Sequence, residues 1–175
     1  MFKGGAFDSE LAQGKLSMRA TWNKSWDVNV TGTTIFTHTF MPLLLASSDP
    51  RLMFIASGTA SLADAAIGLP ATSKPPAKGW PKAPHISMMT YRSAKAGMNM
   101  MMLEWTRILK EDGVKIFGIS PGFLATNLGG VGPERLKALG AKDPALGGEF
   151  VKDVIEGKRD QDVNKTIRST GIQPW

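Results

Sequence analysis

Arg51-Leu52-Met53-Phe54-Ile55-Ala56 decides the fold. The run is too brief for a helix, and it is apolar on both of the faces that strand alternation creates. That pattern suits the middle of a parallel sheet, where both faces are covered. Ser47-Ser48-Asp49-Pro50 precedes it as a turn. Downstream, Val114-Lys115-Ile116-Phe117-Gly118-Ile119-Ser120 reads as a second strand, closed by Pro121-Gly122. Between the two, a helix is predicted from about Met88 to Glu111, with Met98, Met101, Met102, Trp105, Ile108 and Leu109 on its buried stripe. Asp112-Gly113 ends it, with glycine just past the last turn. Strand, crossover helix, strand is a βαβ element, which closes right-handed on a parallel sheet. The methionine run from Met98 to Met102 reads as adaptable core packing, not as a metal or cofactor box.

Towards the N-terminus, residues 1–8 read as a Gly-rich loop and Ser9 to Arg19 as a short helix with Ser9 as its N-cap. Trp22, Trp26, Val30, Thr33/Thr34 and Phe40/Met41 recur at three- and four-residue intervals. They predict a helix from about Thr21 to Leu45 in spite of Gly32 and Pro42. Residues 58–90 have no clear period. A proline-rich insertion at about 62–86, with Trp80 in it, reads as a long surface loop. Helices follow from Pro133 to Gly140 and from Pro144 to Glu156, and the tail, Val163 to Ile167 and then Gly171 to Trp175, supplies one short strand.

At 175 residues, with 42% hydrophobic and 21% charged content, the chain reads as one globular domain long enough to bury a core. It has no cysteine, so disulfides and thiolate zinc sites are excluded, no metal is expected, and a reducing cytoplasmic setting fits. Met1-Phe2-Lys3-Gly4-Gly5 lacks the apolar core of a signal peptide. Thr33 to Ala46 carries His38 and Pro42 and is too short to span a membrane. The net charge of +6 comes from Lys and Arg scattered from Lys3 to Arg168 without stripe or interleaved aromatics, so no nucleic acid is expected.

In open parallel sheets, ligands bind beyond the carboxyl ends of the strands. Ser57 lies just past the first strand, and Ser120-Pro121-Gly122 just past the second. The crossover leaves from the carboxyl end, so its helix begins at the same rim with Tyr91 and Lys95 four residues apart on one face. A nearby ammonium favours phenolate over phenol, which pulls a tyrosine down from about 10 towards the working range of an acid–base catalyst. A serine hydroxyl, a Tyr/Lys pair and a Pro-Gly turn thus converge on one edge of the sheet.

From about Trp22 to the C-terminus, the chain resembles the short-chain dehydrogenase/reductase family, and its wording is most similar to fungal carbonyl-reductase-like members. Asp27-Val28-Asn29-Val30-Thr31-Gly32 resembles the central-helix motif, with Asn29 as its asparagine. Phe54-Ile55-Ala56-Ser57-Gly58 resembles the strand-end motif, with Ser57 as its serine, and Tyr91-Arg92-Ser93-Ala94-Lys95 fits Tyr-x-x-x-Lys. Ile119 to Thr126 fits the Pro-Gly motif with its downstream threonine. The resemblance implies an α/β fold, the C-terminal half of a Rossmann-like doubly wound parallel sheet with flanking helices. It also implies reversible hydride transfer between a small-molecule carbonyl or alcohol and NADP or NAD, with Asn29, Ser57, Tyr91 and Lys95 as the catalytic set. Tyr91 would be the acid or base, and Ser57 would hydrogen-bond the substrate oxygen. Lys95 would lower the Tyr91 pKa and hold the nicotinamide ribose, and Asn29 would anchor a water that returns the proton through Lys95. Pro121, Gly122 and Thr126 would line the nicotinamide end. Homo-oligomers would form through the helices at 21–45 and 88–111.

Two departures follow. Ser57 stands much further from Tyr91 than the family's serine does, and the insertion at about 62–86 accounts for the distance. The family's first strands and its Gly-x-x-x-Gly-x-Gly turn, which take the pyrophosphate, are missing from these residues. Gly129-Gly130-Val131-Gly132 opens on Pro133 and reads as a flexible loop. Impaired cofactor binding is therefore expected. The alternatives are a cofactor-free isomerase or lyase using Tyr91 and Lys95 for proton transfer, or a non-catalytic remnant that pairs with a full-length relative. The strand at 51–56 would then present an unpaired edge.

Overall fold

The computed structural model describes residues 6–68, 75–82, 88–130 and 132–175. The fold is α/β and Rossmann-like, with four strands in the order β1-β2-β3-β4. β1 (Arg51–Ile55), β2 (Lys115–Ser120) and β3 (Lys165–Arg168) run parallel, and β4 (Gly171–Ile172) returns antiparallel to β3. The tail thus gives two strands where one was predicted, because Ser169-Thr170 turns the chain back on itself.

The β2 residues alternate between two cores, which explains the unbroken apolar run in the sequence. Ile116 joins Phe54, Met98, Met102, Trp105 and Leu109 beneath α5 (Met89–Ile108). Phe117 and Ile119 join Phe150, Val154 and Ile167 beneath α7 (Pro144–Ile155). Each such fully buried side chain contributes about 1.5–3 kcal/mol. Gly118 sits where β2 is most crowded: an added Cβ would meet the Thr166 hydroxyl and lie 3.0 Å from the Met102 sulfur. Ile108, predicted for the buried stripe of α5, is exposed. Its neighbours Trp105 and Leu109 take the core-facing positions of the last turn, and Ile108 lies off their stripe.

Ahead of the sheet, α1 (Ala6–Ala12) and α2 (Met18–Trp26) replace the predicted single helix from Ser9. Ser9 is inside α1, and Ser17 is the N-cap of α2, accepting from Ala20 N. The chain continues through a π-helical segment, Asp27–Thr31, into α3 (Gly32–Leu45). The predicted helix over 21–45 is therefore present but interrupted by a wider turn. Beyond Ser57, a 3-10 turn (Gly58–Ala60) and α4 (Leu62–Ala66) occupy the beginning of the predicted proline-rich loop. Residues 1–5 of the Gly-rich loop, 69–74 and 83–87 of the insertion, and Val131 lie outside the described residues. α6 is Pro133–Ala138, and Leu128–Gly130 is a 3-10 turn.

Among the described residues β1 pairs with β2 alone, and Ile55 is exposed. The sequence pattern of a central strand is met by neighbours above and below, not beside it. At the opposite end of the sheet from the candidate site, Arg51 makes a bidentate pair with Asp160 (2.6 and 3.0 Å) and a further bond to Asp49 (2.8 Å). Lys115 bridges the same two carboxylates at 2.7 and 2.8 Å.

Candidate active site

Tyr91 is the third residue of α5, and its ring is buried at 7% exposure. The side chain of Ser57, just past the carboxyl end of β1, acts on the Tyr91 hydroxyl and favours the phenolate. Ser57 is held from three sides. Its Oγ and the Thr59 hydroxyl lie 2.9 Å apart, it accepts from Thr59 N at 3.3 Å, and its carbonyl accepts from Gln173 Nε2 at 3.1 Å. Arg92 ties the same loop to α5 by donating to the Thr59 carbonyl at 2.9 Å.

Lys95 stands one turn further along α5. Its Nζ donates to the Ile55 carbonyl at 2.7 Å and lies 5.9 Å from the Tyr91 ring centroid. Burial pulls the amine down to about 8. The phenol moves in the direction opposite to that read from the spacing. Desolvation pushes Tyr91 up, and the Ser57 side chain opposes the rise without cancelling it. In a water-poor site the cost of creating phenolate exceeds the help of an ammonium across that distance. A phenol in this state keeps its proton at neutral pH and is chemically an acid.

Asn29 is buried in the π-helical segment, which packs against α5. Its Nδ2 donates to the Ser25 carbonyl at 2.8 Å. Single π turns inside α-helices recur at functional sites, since they redirect a side chain and free backbone carbonyls. Pro121 and Gly122 follow β2, and Gly122 has a φ of +101° that favours glycine. The turn is steadied by Ala125 N and Lys142 N, which donate to the carbonyls of Lys142 and Phe123 at 2.8 and 2.9 Å. Thr126 Oγ1 accepts from Leu128 N at 3.2 Å, inside the same loop.

Ser57, Tyr91 and Lys95 are thus brought together at the carboxyl end of β1. Asn29 lies in the helical run behind α5, and Pro121, Gly122 and Thr126 lie beyond the neighbouring strand. Two residues that the sequence did not single out also belong to this region. Gln173 reaches in from the tail, and Asp8 of α1 accepts bonds from the first turn of α5. Neither lies in a recognisable motif, because each acts across more than eighty residues of chain. An open groove of about 420 Å³ lined by Asn23, Lys24, Trp26, Asp27 and Thr31 contains none of the candidate residues. Among the described residues no helix is long and apolar enough to cross a membrane, and no three metal-ligating side chains cluster.

No family model matches the chain. Curated relatives do match, two of them at nearly half identity. The short-chain dehydrogenase/reductase eupG of Phoma sp is 49% identical across 98% of this chain. The short-chain dehydrogenase/reductase tropE of Talaromyces stipitatus is 46% identical across 94%. The chain spans 64% and 62% of the lengths of these relatives. Among solved structures, the NADPH-bound carbonyl reductase from chicken fatty liver superposes with a TM-score of 0.69 at 16% identity, covering 93% of this chain and 60% of that one. The carbonyl reductase Sniffer of D. melanogaster gives 0.61 at 14% identity, covering 98% and 74%. At such low identity these two establish the fold alone, whereas the relatives establish descent. The chain belongs to the short-chain dehydrogenase/reductase family.

Proposed function

We propose that this chain carries the acid–base half of an oxidoreductase that interconverts a small-molecule carbonyl and an alcohol with NADP or NAD. The action of the Ser57 side chain on the Tyr91 hydroxyl, with Lys95 one turn away, is the observation that supports it best. In reduction, Ser57 hydrogen-bonds the carbonyl oxygen and orients it, and Tyr91 gives that oxygen its proton as charge develops. In the reverse direction Tyr91 takes the proton back. Lys95, held by the Ile55 carbonyl, would lower the Tyr91 pKa and hold the nicotinamide ribose, and Asn29 would anchor a water that returns the proton through Lys95. The nicotinamide, when bound, supplies or accepts the hydride.

The nicotinamide end of such a cofactor fits these residues. Among the described residues, and apart from Gly122 and its two chain neighbours, no atom lies within 4 Å of the place where a Cβ on Gly122 would stand, which leaves room for a flat ring at the Pro121-Gly122 turn. Lys95 gives one of its three donors to Ile55, and the others are available for ribose hydroxyls. Thr126 would hold the carboxamide or a phosphate. The pyrophosphate end has no counterpart here, since these 175 residues contain no Gly-x-x-x-Gly-x-Gly turn. A second reading has Tyr91 moving protons alone, as in an isomerase or lyase, and a third is a non-catalytic remnant that pairs with a full-length relative. The part of α3 that carries exposed Ile35, Phe36, Phe40 and Leu43 supports self-association or such pairing through α3 and α5. A cytoplasmic setting belongs to the same proposal and rests on the cysteine-free composition.

The test is reduction of a panel of ketones with NADPH and NADH, together with fluorescence titration of each nucleotide. Turnover with weak nucleotide binding, lowered about 10²–10⁴-fold in Tyr91→Phe, is expected. Turnover unchanged in that variant would overturn the assignment. Proton exchange on an enolisable ketone without hydride transfer, lost in Tyr91→Phe, would favour the second reading.

A further inference from the structure

We propose that Asp8 is the positioning residue of Tyr91, holding the first turn of α5 from outside that helix. The inference rests on the reading of Tyr91 as the acid. α5 begins badly by itself. Its N-cap is Met88, whose side chain makes no capping bond, so the N–H groups of Thr90 and Tyr91 take an acceptor from outside the helix. Asp8, on α1, supplies the acceptors. Its Oδ1 accepts from Thr90 N at 3.1 Å, and its Oδ2 accepts from Thr90 Oγ1 at 3.0 Å and from Tyr91 N at 3.1 Å. Asp8, Thr90 and Tyr91 are 5%, 1% and 7% exposed, so water does not compete for these bonds. A carboxylate at a helix N-terminus is also favoured by the helix dipole, and bonds to a charged acceptor are the stronger kind.

The position of Tyr91 in the helix gives this cap a role beyond stability. Terminal turns fray unless capped, and Tyr91 lies in that first turn, whereas Lys95 lies one turn deeper. One of the three bonds goes to the backbone nitrogen of Tyr91 itself. Loss of the cap should therefore displace the phenol from Ser57 and admit water to it, while leaving Lys95 where it is. A merely structural acid would disturb both residues or neither.

Tyr91 is the one tyrosine of the chain, so tyrosinate absorbance reports this phenol without any need for turnover. The experiment titrates wild type, Asp8→Ala and Asp8→Asn by that absorbance, and follows Lys95 by lysine ε-carbon NMR assigned with Lys95→Arg. In Asp8→Ala the Tyr91 midpoint is expected to fall back towards the ordinary 10, while Lys95 stays at about 8. In Asp8→Asn, which caps nearly as well, most of the wild-type midpoint should be retained. A wild-type midpoint in folded Asp8→Ala overturns the proposal. So does a fall in Asp8→Asn as large as in Asp8→Ala, which would mean that the charge acts and not the cap. Should Asp8→Ala fail to fold, Thr90→Val removes one of the three bonds. A smaller fall in the same direction supports the proposal, and none overturns it. Where turnover is measurable, kcat should drop on the order of tenfold or more in Asp8→Ala with KM little changed. Failure of the oxidoreductase reading would appear separately, as turnover insensitive to Tyr91→Phe.

Discussion

At Lys95 an amine is kept in a half-buried site by one bond to a strand-end carbonyl, and this has a pH signature. Its folded-state value of about 8 lies below the ordinary 10.5. Between these values the unfolded chain holds the extra proton, so stability rises with pH across that window. Tyr91 acts oppositely: its raised value means that the folded chain keeps the phenolic proton longer, and stability is lost as pH climbs above 10. Lys95→Met is expected to flatten the rise in Tm between pH 8 and 10, measured by calorimetry, and an unchanged slope would refute the assignment. The spacing of Tyr91 and Lys95 was legible because helical geometry is local. The direction of the phenol's shift was not, since it depends on how little water reaches the ring.

On the scale of elements, β2 and the tail set the tolerances. Gly118 lies between β1 and β3 with Met102 above it, so Gly118→Ala forces either the Thr166 side chain or the α5 face to move. A loss of about 1–3 kcal/mol in urea denaturation is expected. The tail fixes the serine loop in two places. Gln173 Nε2 donates to the Ser57 carbonyl, and Ala63 N donates to the Trp175 carbonyl at 2.6 Å. Gln173→Ala should cost about 1–3 kcal/mol in the same assay, because the Ser57 carbonyl loses its partner. An unaltered midpoint would mean that the loop is held by Thr59 and Arg92 alone. β1, β2 and α5 could be read from periodicity and length. The antiparallel return of β4 and the division of α1 from α2 could not, because both depend on which neighbour receives the backbone bonds.

The whole molecule is a sheet with the candidate site at one end and a charge clamp at the other. Arg51, and then Lys115, holds the Asp160 carboxyl well below the usual carboxylate range. The stabilisation is present above pH about 4 and is lost as pH falls below it. Asp160→Asn should therefore weaken the dependence of Tm on pH between about 4 and 2, and an unchanged acid profile would rule the clamp out as its source. The motif residues Ser57, Tyr91 and Lys95 were legible because they stand on elements that periodicity also predicts, whereas Asp8 and Gln173 reach them only in the folded chain. The π-helical segment has a consequence for the molecule's tolerance of length changes. A π turn holds one residue more than an α turn, so removing one residue within Asp27–Thr31 would close the run from Met18 to Leu45 into regular α-helix with the helical phase beyond it kept. Met41 and Leu44 would then stay against the core beneath α5. One residue removed from the regular helix between Gly32 and Phe40 would instead turn everything beyond it by about 100° and carry Met41 and Leu44 out of that core.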